Sequence, residues 1–145
     1  MYDVTATGEL LIDFTRNGLS EQNNRIYEAN PGGAPCNVLA MLGKLGYKTA
    51  FIGKVGDDEF GKLLKNTISE QKIDAAGLIL DPNAKTTLAF VDNDETGDRS
   101  FSFYRKPGAD MMLREDEVNY ELIDNCRIFH FGSLSMTDEP VRSAT

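Results

Sequence analysis

The sequence predicts an α/β protein built on a parallel sheet, and three observations predict it. Short β-rich apolar runs alternate with segments whose apolar residues recur at helical spacing. The clearest helical segment follows a Gly-Gly-Ala-Pro break and is closed by a glycine. The chain has 145 residues, 41% hydrophobic and 26% charged, enough for one domain with a real core.

The elements follow in order. Tyr2 to Phe14, with Val4, Leu10, Leu11, Ile12 and Phe14, reads as a strand, an irregularity at Gly8 and a second short extended piece. Thr15 to Asn30 is polar and reads as a loop or an exposed hairpin, with Arg25 to Ala29 as its returning strand. Pro31 to Pro35 breaks the chain. Val38, Leu39, Leu42 and Leu45 then define a helix, with Pro35 in its first turn and Gly46 at its end. Ala40 and Met41 on its other face predict burial on most sides. Thr49 to Gly53 is a strand. Gly53 to Asp58 reads as a turn and helix cap, with Asp57 or Asp58 leading a helix whose face holds Phe60, Leu63, Leu64 and Ile68. Leu78 to Leu80 is a strand and Asp81-Pro82-Asn83 a turn. Thr86 to Val91 and Arg99 to Arg105 form a hairpin across an acidic loop, Asp92 to Asp98. Glu115 to Cys126 is predicted helical and Arg127 to Phe131 a strand. The two hairpins interrupt the alternation, so they are expected outside the main sheet.

Composition excludes several function classes. There are 15 Lys and Arg against 23 Asp and Glu, a net charge of −8. That acidity argues against a nucleic-acid partner, which requires a basic footprint. Nothing approaches the roughly 18 consecutive apolar residues of a membrane span. Met1-Tyr2-Asp3-Val4 lacks the pattern of a signal peptide. With only two cysteines, Cys36 and Cys126, the chain fits a reducing cytoplasm. One histidine and no Cys-x-x-Cys exclude a His-rich or paired-cysteine metal site. Thr137-Asp138-Glu139-Pro140 reads as a helix start, yet only Val141 to Thr145 follow, too few to stabilise a helix alone. That pattern fits either a frayed end or a longer protein cut after Thr145.

Several residues could carry chemistry. The glycines before the helix let a ligand approach backbone N–H groups at a helix N-terminus, with Asn37 in the first turn offering a donor and an acceptor. The same turn could be a tight strand-to-helix connection without a ligand. No phosphate-binding Gly-rich fingerprint occurs. Asp13, within the apolar Leu10-Leu11-Ile12-Asp13-Phe14, could accept bonds from two sugar hydroxyls or from nearby backbone N–H groups. Phe101, Phe103 and Arg105 share a strand face. They could form a sugar or anion platform, or pack the hairpin on the core with Arg105 at the rim. His130 reads as a satisfied histidine on a buried strand, and Cys36 as a small buried side chain.

Five stretches, in order, cover nearly the whole chain: Gly8-Glu9-Leu10-Leu11-Ile12-Asp13-Phe14, Pro31-Gly32-Gly33-Ala34-Pro35-Cys36-Asn37-Val38, Gly46, Phe51 to Gly61, and Phe103-Tyr104-Arg105-Lys106-Pro107-Gly108-Ala109-Asp110. With them the chain resembles the N-terminal part of the ribokinase-like (PfkB) carbohydrate kinases, closest to their fructokinase branch. Leu39, where a small residue is usual, and Cys36, usually Ala, depart from the pattern without removing a contact group.

The resemblance implies a three-layer α/β sandwich, here incomplete, with a β-lid from segments at about 14–30 and 86–105. It implies transfer of the ATP γ-phosphoryl group to a sugar hydroxyl with Mg²⁺, fructose being the expected substrate. 2-Keto-3-deoxygluconate kinase, ribokinase and a non-catalytic sugar-binding or interaction module are alternatives. Asp13, Gly32, Gly33 and Asn37 would bind sugar hydroxyls, with Phe103 and Arg105 reaching in from the lid. The family's Asn-x-x-Glu and Gly-Ala-Gly-Asp motifs do not occur in these residues. No catalytic base or metal ligand is therefore expected within the chain. The base is expected beyond Thr145, and residues 1–145 should be inactive alone. A homodimer through the lids is also expected of the intact protein.

Overall fold

The computed structural model describes residues 1–93 and 99–145. Four strands, β1 (Tyr2–Thr7), β4 (Thr49–Gly56), β5 (Ile73–Asp81) and β8 (Cys126–Phe131), form a parallel sheet in the order β5-β4-β1-β8. Alternation along β4 sends Phe51 and Val55 to one face and Ala50 and Ile52 to the other. Helices α1 (Ala34–Lys44) and α2 (Glu59–Glu70) cover the first face with Leu39, Leu64 and Ile68. Leu113, Leu122 and Val141 cover the second, the last two from α3 (Tyr120–Asp124) and α4 (Val141–Ala144). The result is three layers.

The hairpins build one separate sheet. β2 (Leu11–Leu19) pairs antiparallel with β3 (Arg25–Gly32), and β6 (Leu88–Asn93) with β7 (Arg99–Tyr104). The parallel pair β2–β6 joins them in the order β3-β2-β6-β7. Phe14 anchors this sheet to the body. Its ring meets Phe60 of α2 edge-on at 5.5 Å and stacks on Phe90 at 4.9 Å. Such aromatic pairs add about 0.5–1.5 kcal/mol beyond the area they bury.

Several expectations need correction. Gly53 to Gly56 belong to β4, all buried, and the helix cap begins only at Asp58, which accepts the Gly61 N–H at 2.9 Å. Strand β5 starts at Ile73, well before Leu78. Pro31 and Gly32 end strand β3, so the chain break starts at Gly33. Helix α1 is not buried on most sides: Val38, Met41 and Leu45 are exposed, and the packed face runs through Cys36 and Leu39. Its residues carry apolar side chains all around, and the sheet covers only one side.

Glu115 to Cys126 is not one helix. A 3₁₀ turn at Glu115–Glu117 gives way to extended Val118, α3 is short, and Cys126 already pairs with Tyr2 in β8. The turn is pinned because Glu117 binds both the Arg114 N–H and Lys54. Strand β8 pairs only with β1 among the described residues, so its surroundings are not the buried ones expected for His130. Ile128 and Phe131 are exposed and His130 is partly buried. Most of the acidic loop expected between β6 and β7, residues 94–98, lies outside the described residues. Among the described residues no helix is long and apolar enough to cross a membrane.

The last residues form the helix whose start Thr137 to Pro140 signalled, and a frayed end, one of the two readings there, is not what the structure shows. Val141 to Ala144 form a helical turn, with Thr145 as its C-cap. Thr145 is half-buried, and its Oγ1 donates to the Val141 carbonyl at 2.8 Å. So short a helix is marginal by itself. Packing holds it: Val141 is buried against Leu113 and Leu122, with Ala144 beside them. The chain thus reaches Thr145 within the folded body.

Lys54 joins the layers under β4. Its ammonium, 3% exposed, donates to Glu117 Oε2 at 2.5 Å and to the Met112 carbonyl at 2.9 Å, with Asp81 Oδ2 at 3.6 Å. Removing the cation strands two largely buried carboxylates. Lys54→Ala should lower stability by about 3–5 kcal/mol, read as a fall in the urea midpoint at unchanged slope.

Candidate functional site

The site lies where β1 ends and α1 begins, at the C-terminal edge of the parallel sheet, where open α/β folds bind ligands. β1 stops at Thr7. The chain then turns through Gly8 and Glu9 into β2 and returns along β3 to Gly32 and Gly33. Gly33 has φ 123° and is the N-cap of α1, where it offers no capping side chain. Glu9 supplies the missing acceptor, its Oε1 taking the Ala34 N–H at 2.8 Å. A methyl group on Gly33 would collide with the Glu9 carbonyl.

Asp13 is the third residue of β2, with its partner Asn30 on β3. Its carboxylate lies directly over Gly32, where any side chain would strike Oδ2. Among the described residues it makes no hydrogen bond or ion pair, and burial pushes its carboxyl above the ordinary value. The alternative of a strand-end Asp satisfied by backbone N–H groups therefore has no bond to rest on. Gly32 and the exposed Asn37 line one recess of about 250 Å³ together with Leu10, Cys36 and Ala40. Cys36 is buried, and burial and the neighbouring Glu9 carboxylate push its thiol up, which disfavours the thiolate.

The register continues across the second sheet. Asn30 pairs with Asp13, Asp13 with Ala89, and Ala89 with Phe103. Residues in such a row point to one face, so Asp13 and Phe103 look the same way from strands roughly 10 Å apart. Phe101 and Phe103 stack at 6.2 Å and remain half exposed, so they do not pack the hairpin on the core.

Arg105 follows β7 and is largely buried instead of standing at the rim. Its Nε donates to Asp110 Oδ2 at 2.8 Å, with the two side chains 11% and 1% exposed. Thr87 Oγ1 donates to the other oxygen, Oδ1. Arg105 Nη2 is buried without a partner among the described residues. Phe103 and Arg105 line a second cleft of about 550 Å³ with Lys106, Pro107, Met111, Leu134 and Asp138. The six sequence candidates thus fall into two groups. Asp13, Gly32, Gly33 and Asn37 surround the start of α1, while Phe103 and Arg105 stand across the sheet. No hydrogen bond links the groups among the described residues.

The comparison with known proteins decides the family. The family model for pfkB family carbohydrate kinases matches residues 1–145. The chain belongs to that family. It is 46% identical over 143 residues to fructokinase-2 of Zea mays, covering 97% of this chain and 43% of that protein. The crystal structure of fructokinase from Xylella fastidiosa superposes with a TM-score of 0.92 at 36% identity, over 99% of this chain and 45% of that one. A double-mutant fructokinase from Vibrio cholerae O395, in a fructose-, ADP- and potassium-bound form, gives 0.81 at 33% identity over 99% and 44%. The chain spans less than half the length of these kinases.

Glu9, Thr87 and Asp110 were not singled out by the sequence. Glu9 left one trace: a lone acid between Gly8 and an apolar run, ahead of a helix without its own cap. Asp110 left no trace beyond its place in the last matching stretch, because its partners, Arg105 just after β7 and Thr87 just before β6, meet it only in the fold. Among the described residues no three His, Cys, Asp or Glu side chains converge as a metal site.

Asp13 carries a stability cost. Because its carboxyl pKa is raised on folding, the native state holds a proton that the unfolded chain has released. Stability is lost as pH rises from the ordinary aspartate value, about 3.9, through the folded one. At pH 7 Asp13→Asn should therefore be at least as stable as the parent by thermal denaturation. A clear fall in Tm would mark Asp13 as structural.

Proposed function

We propose that this chain supplies the sugar-binding side of an ATP-dependent kinase that phosphorylates a hydroxyl of fructose. The observation that carries this reading is Asp13, a partly buried carboxylate with no protein partner among the described residues, held over a glycine at the C-terminal edge of the sheet. A carboxylate there gains most when ligand hydroxyls donate to it. Asp13 accepts from two hydroxyls of the sugar, and Asn37 donates and accepts beside it. Gly32 and Gly33 leave room for the ring. Phe103 covers an apolar face, and Arg105 Nη2 donates to a further oxygen. Membership of the carbohydrate kinases and the likeness to fructokinases support the assignment.

ATP supplies the phosphoryl group and Mg²⁺ offsets its charge. Neither is assigned a site among these residues. The base that deprotonates the attacking hydroxyl is likewise assigned to the part of the kinase that follows Thr145, and residues 1–145 are taken to be inactive by themselves. In the whole protein, Asp13→Asn should lower kcat/KM for fructose about ten- to a hundredfold while leaving KM for ATP unchanged. An amide nitrogen must donate where the sugar needs an acceptor. Unaltered fructose kinetics in a folded variant would refute the role.

The second sheet is also assigned to self-association. Leu19 and Tyr104 are exposed on the face of the second sheet opposite Phe101 and Phe103, and the sheet is too small to leave that surface to water. A second copy of the sheet covers it. Light scattering on the whole protein at micromolar concentration should give the mass of a dimer, and a monomer mass would overturn the assignment.

A further inference from the structure

We infer that Asp110 is a positioning residue that sets the substrate class, holding Arg105 in a charge-neutral pair so that the site takes a neutral sugar in preference to a sugar acid. The inference rests on the reading above that Arg105 faces the sugar.

The geometry is closed on the protein side. Asp110 is 1% exposed, and both its oxygens are used, Oδ2 by Arg105 Nε and Oδ1 by Thr87. No side chain fits between them, since a methyl group on Gly108 would collide with Thr87 Oγ1 and lie 2.7 Å from Oδ1. The 3₁₀ turn that carries Asp110, Ala109–Met112, is tied down by the Ala109 N–H on the Lys85 carbonyl at 2.8 Å. The guanidinium is therefore fixed at Nε, and its Nη2 is buried without a partner among the described residues.

Charge then decides what Nη2 receives. The cleft beside it is lined by Arg105 and Lys106 against Asp138, and Asp110 behind them brings the count to zero. A hydroxyl or carbonyl oxygen accepts the N–H and leaves that balance intact. A ligand carboxylate would place a second anion beside the buried Asp110, where repulsion is weakly screened. An unpaired arginine would invert this preference, because a carboxylate would then be its only counter-charge.

The experiment uses the whole protein with fructose and 2-keto-3-deoxygluconate as the two probes. Asp110→Asn keeps the shape and removes the charge. It should raise KM for fructose more than it lowers kcat, and should move the ratio of kcat/KM values toward the sugar acid by on the order of tenfold. Thr87→Val, which leaves the carboxylate in place, should weaken fructose use without moving that ratio. An equal loss on both sugars in folded Asp110→Asn reduces Asp110 to a structural role and overturns the inference. Should that variant not fold, the parent protein decides: equal kcat/KM for the two sugars overturns it, and a fructose preference of tenfold or more upholds it. Arg105→Ala separates the two readings. If it leaves fructose kinetics unchanged, Arg105 does not face the sugar and the underlying reading fails first.

Discussion

Glu9 Oε1 accepts the backbone N–H of Ala34 at 2.8 Å, and the placement of the site depends on that bond. A helix N-terminus has free N–H groups that need acceptors, and Gly33 offers no side chain for them. The acceptor comes instead from the end of β1. Glu9 is buried, and its second oxygen lies 2.9 Å from where a Cβ on Gly132 would sit, just beyond β8. This acid fixes the turn after β1 to the start of α1, and the Gly132 N–H, donating to the Thr7 carbonyl at 3.0 Å, ties the end of β8 to the same junction. The glycines are consequences of it: Gly33 must clear the Glu9 carbonyl and Gly132 its side chain. From this junction β2 leaves with Asp13 and β3 returns to Gly32, so the position of the unpartnered carboxylate is inherited from the capping bond.

What was legible in the sequence is what depends on neighbours in the chain. The Pro31 to Pro35 break, Gly46 with φ 91° after α1, and the Asp58 cap are short-range events, and each stands where the pattern put it or within a few residues. The alternation of Phe101 and Phe103 correctly put their rings on one side. The buried face of α1 was not legible. Val38, Met41 and Leu45 are as apolar as Leu39, and only the position of the sheet tells them apart. Nor was the end of the predicted helix at Glu115 to Cys126. Glu117 is drawn to Lys54, 63 residues away, and no local signal records that attraction. The start of the last turn was legible at Thr137 to Pro140, while what holds so short a helix, Val141 against Leu113 and Leu122, was not. Of the site, Asp13 was visible as an acid in an apolar run, while Asp110 became visible only when folding brought Arg105 and Thr87 to it.

The charges obey a common rule. The chain carries a net charge of −8, yet the two cations placed deeply among the described residues, Lys54 and Arg105, are each matched by carboxylates: Glu117 and Asp81 in one case, Asp110 in the other. The exception is an anion. Asp13 is left without a cation or a donor among the described residues, at a cost that its raised pKa records. A stable core has no use for such a group, and a binding site does. Asp13 as an acceptor and Arg105 Nη2 as a donor are what a ligand rich in neutral hydroxyls can satisfy together.

The second sheet brings these two groups under one mechanical constraint. Its strands are buried where they leave the body, at Leu11, Ile12 and Ala89, and exposed farther out, at Leu19 and Phe101. Phe14 locks the inner end to α2 through Phe60, so Asp13, one residue away, is fixed to the body. The outer ends have few buried contacts to lose, and local opening costs least there. Phe103 pairs with Ala89 in the row of Asp13, at the inner end, and Phe101 lies farther out. Arg105, two residues on, is held by Asp110 and Thr87 next to the 3₁₀ turn. The polar contacts proposed for the sugar and the Phe103 ring are thus attached to the inner part of the sheet, and Phe101 to the part that yields. In that division the hydroxyl geometry is set before the sugar arrives, and the outer end can open without disturbing it.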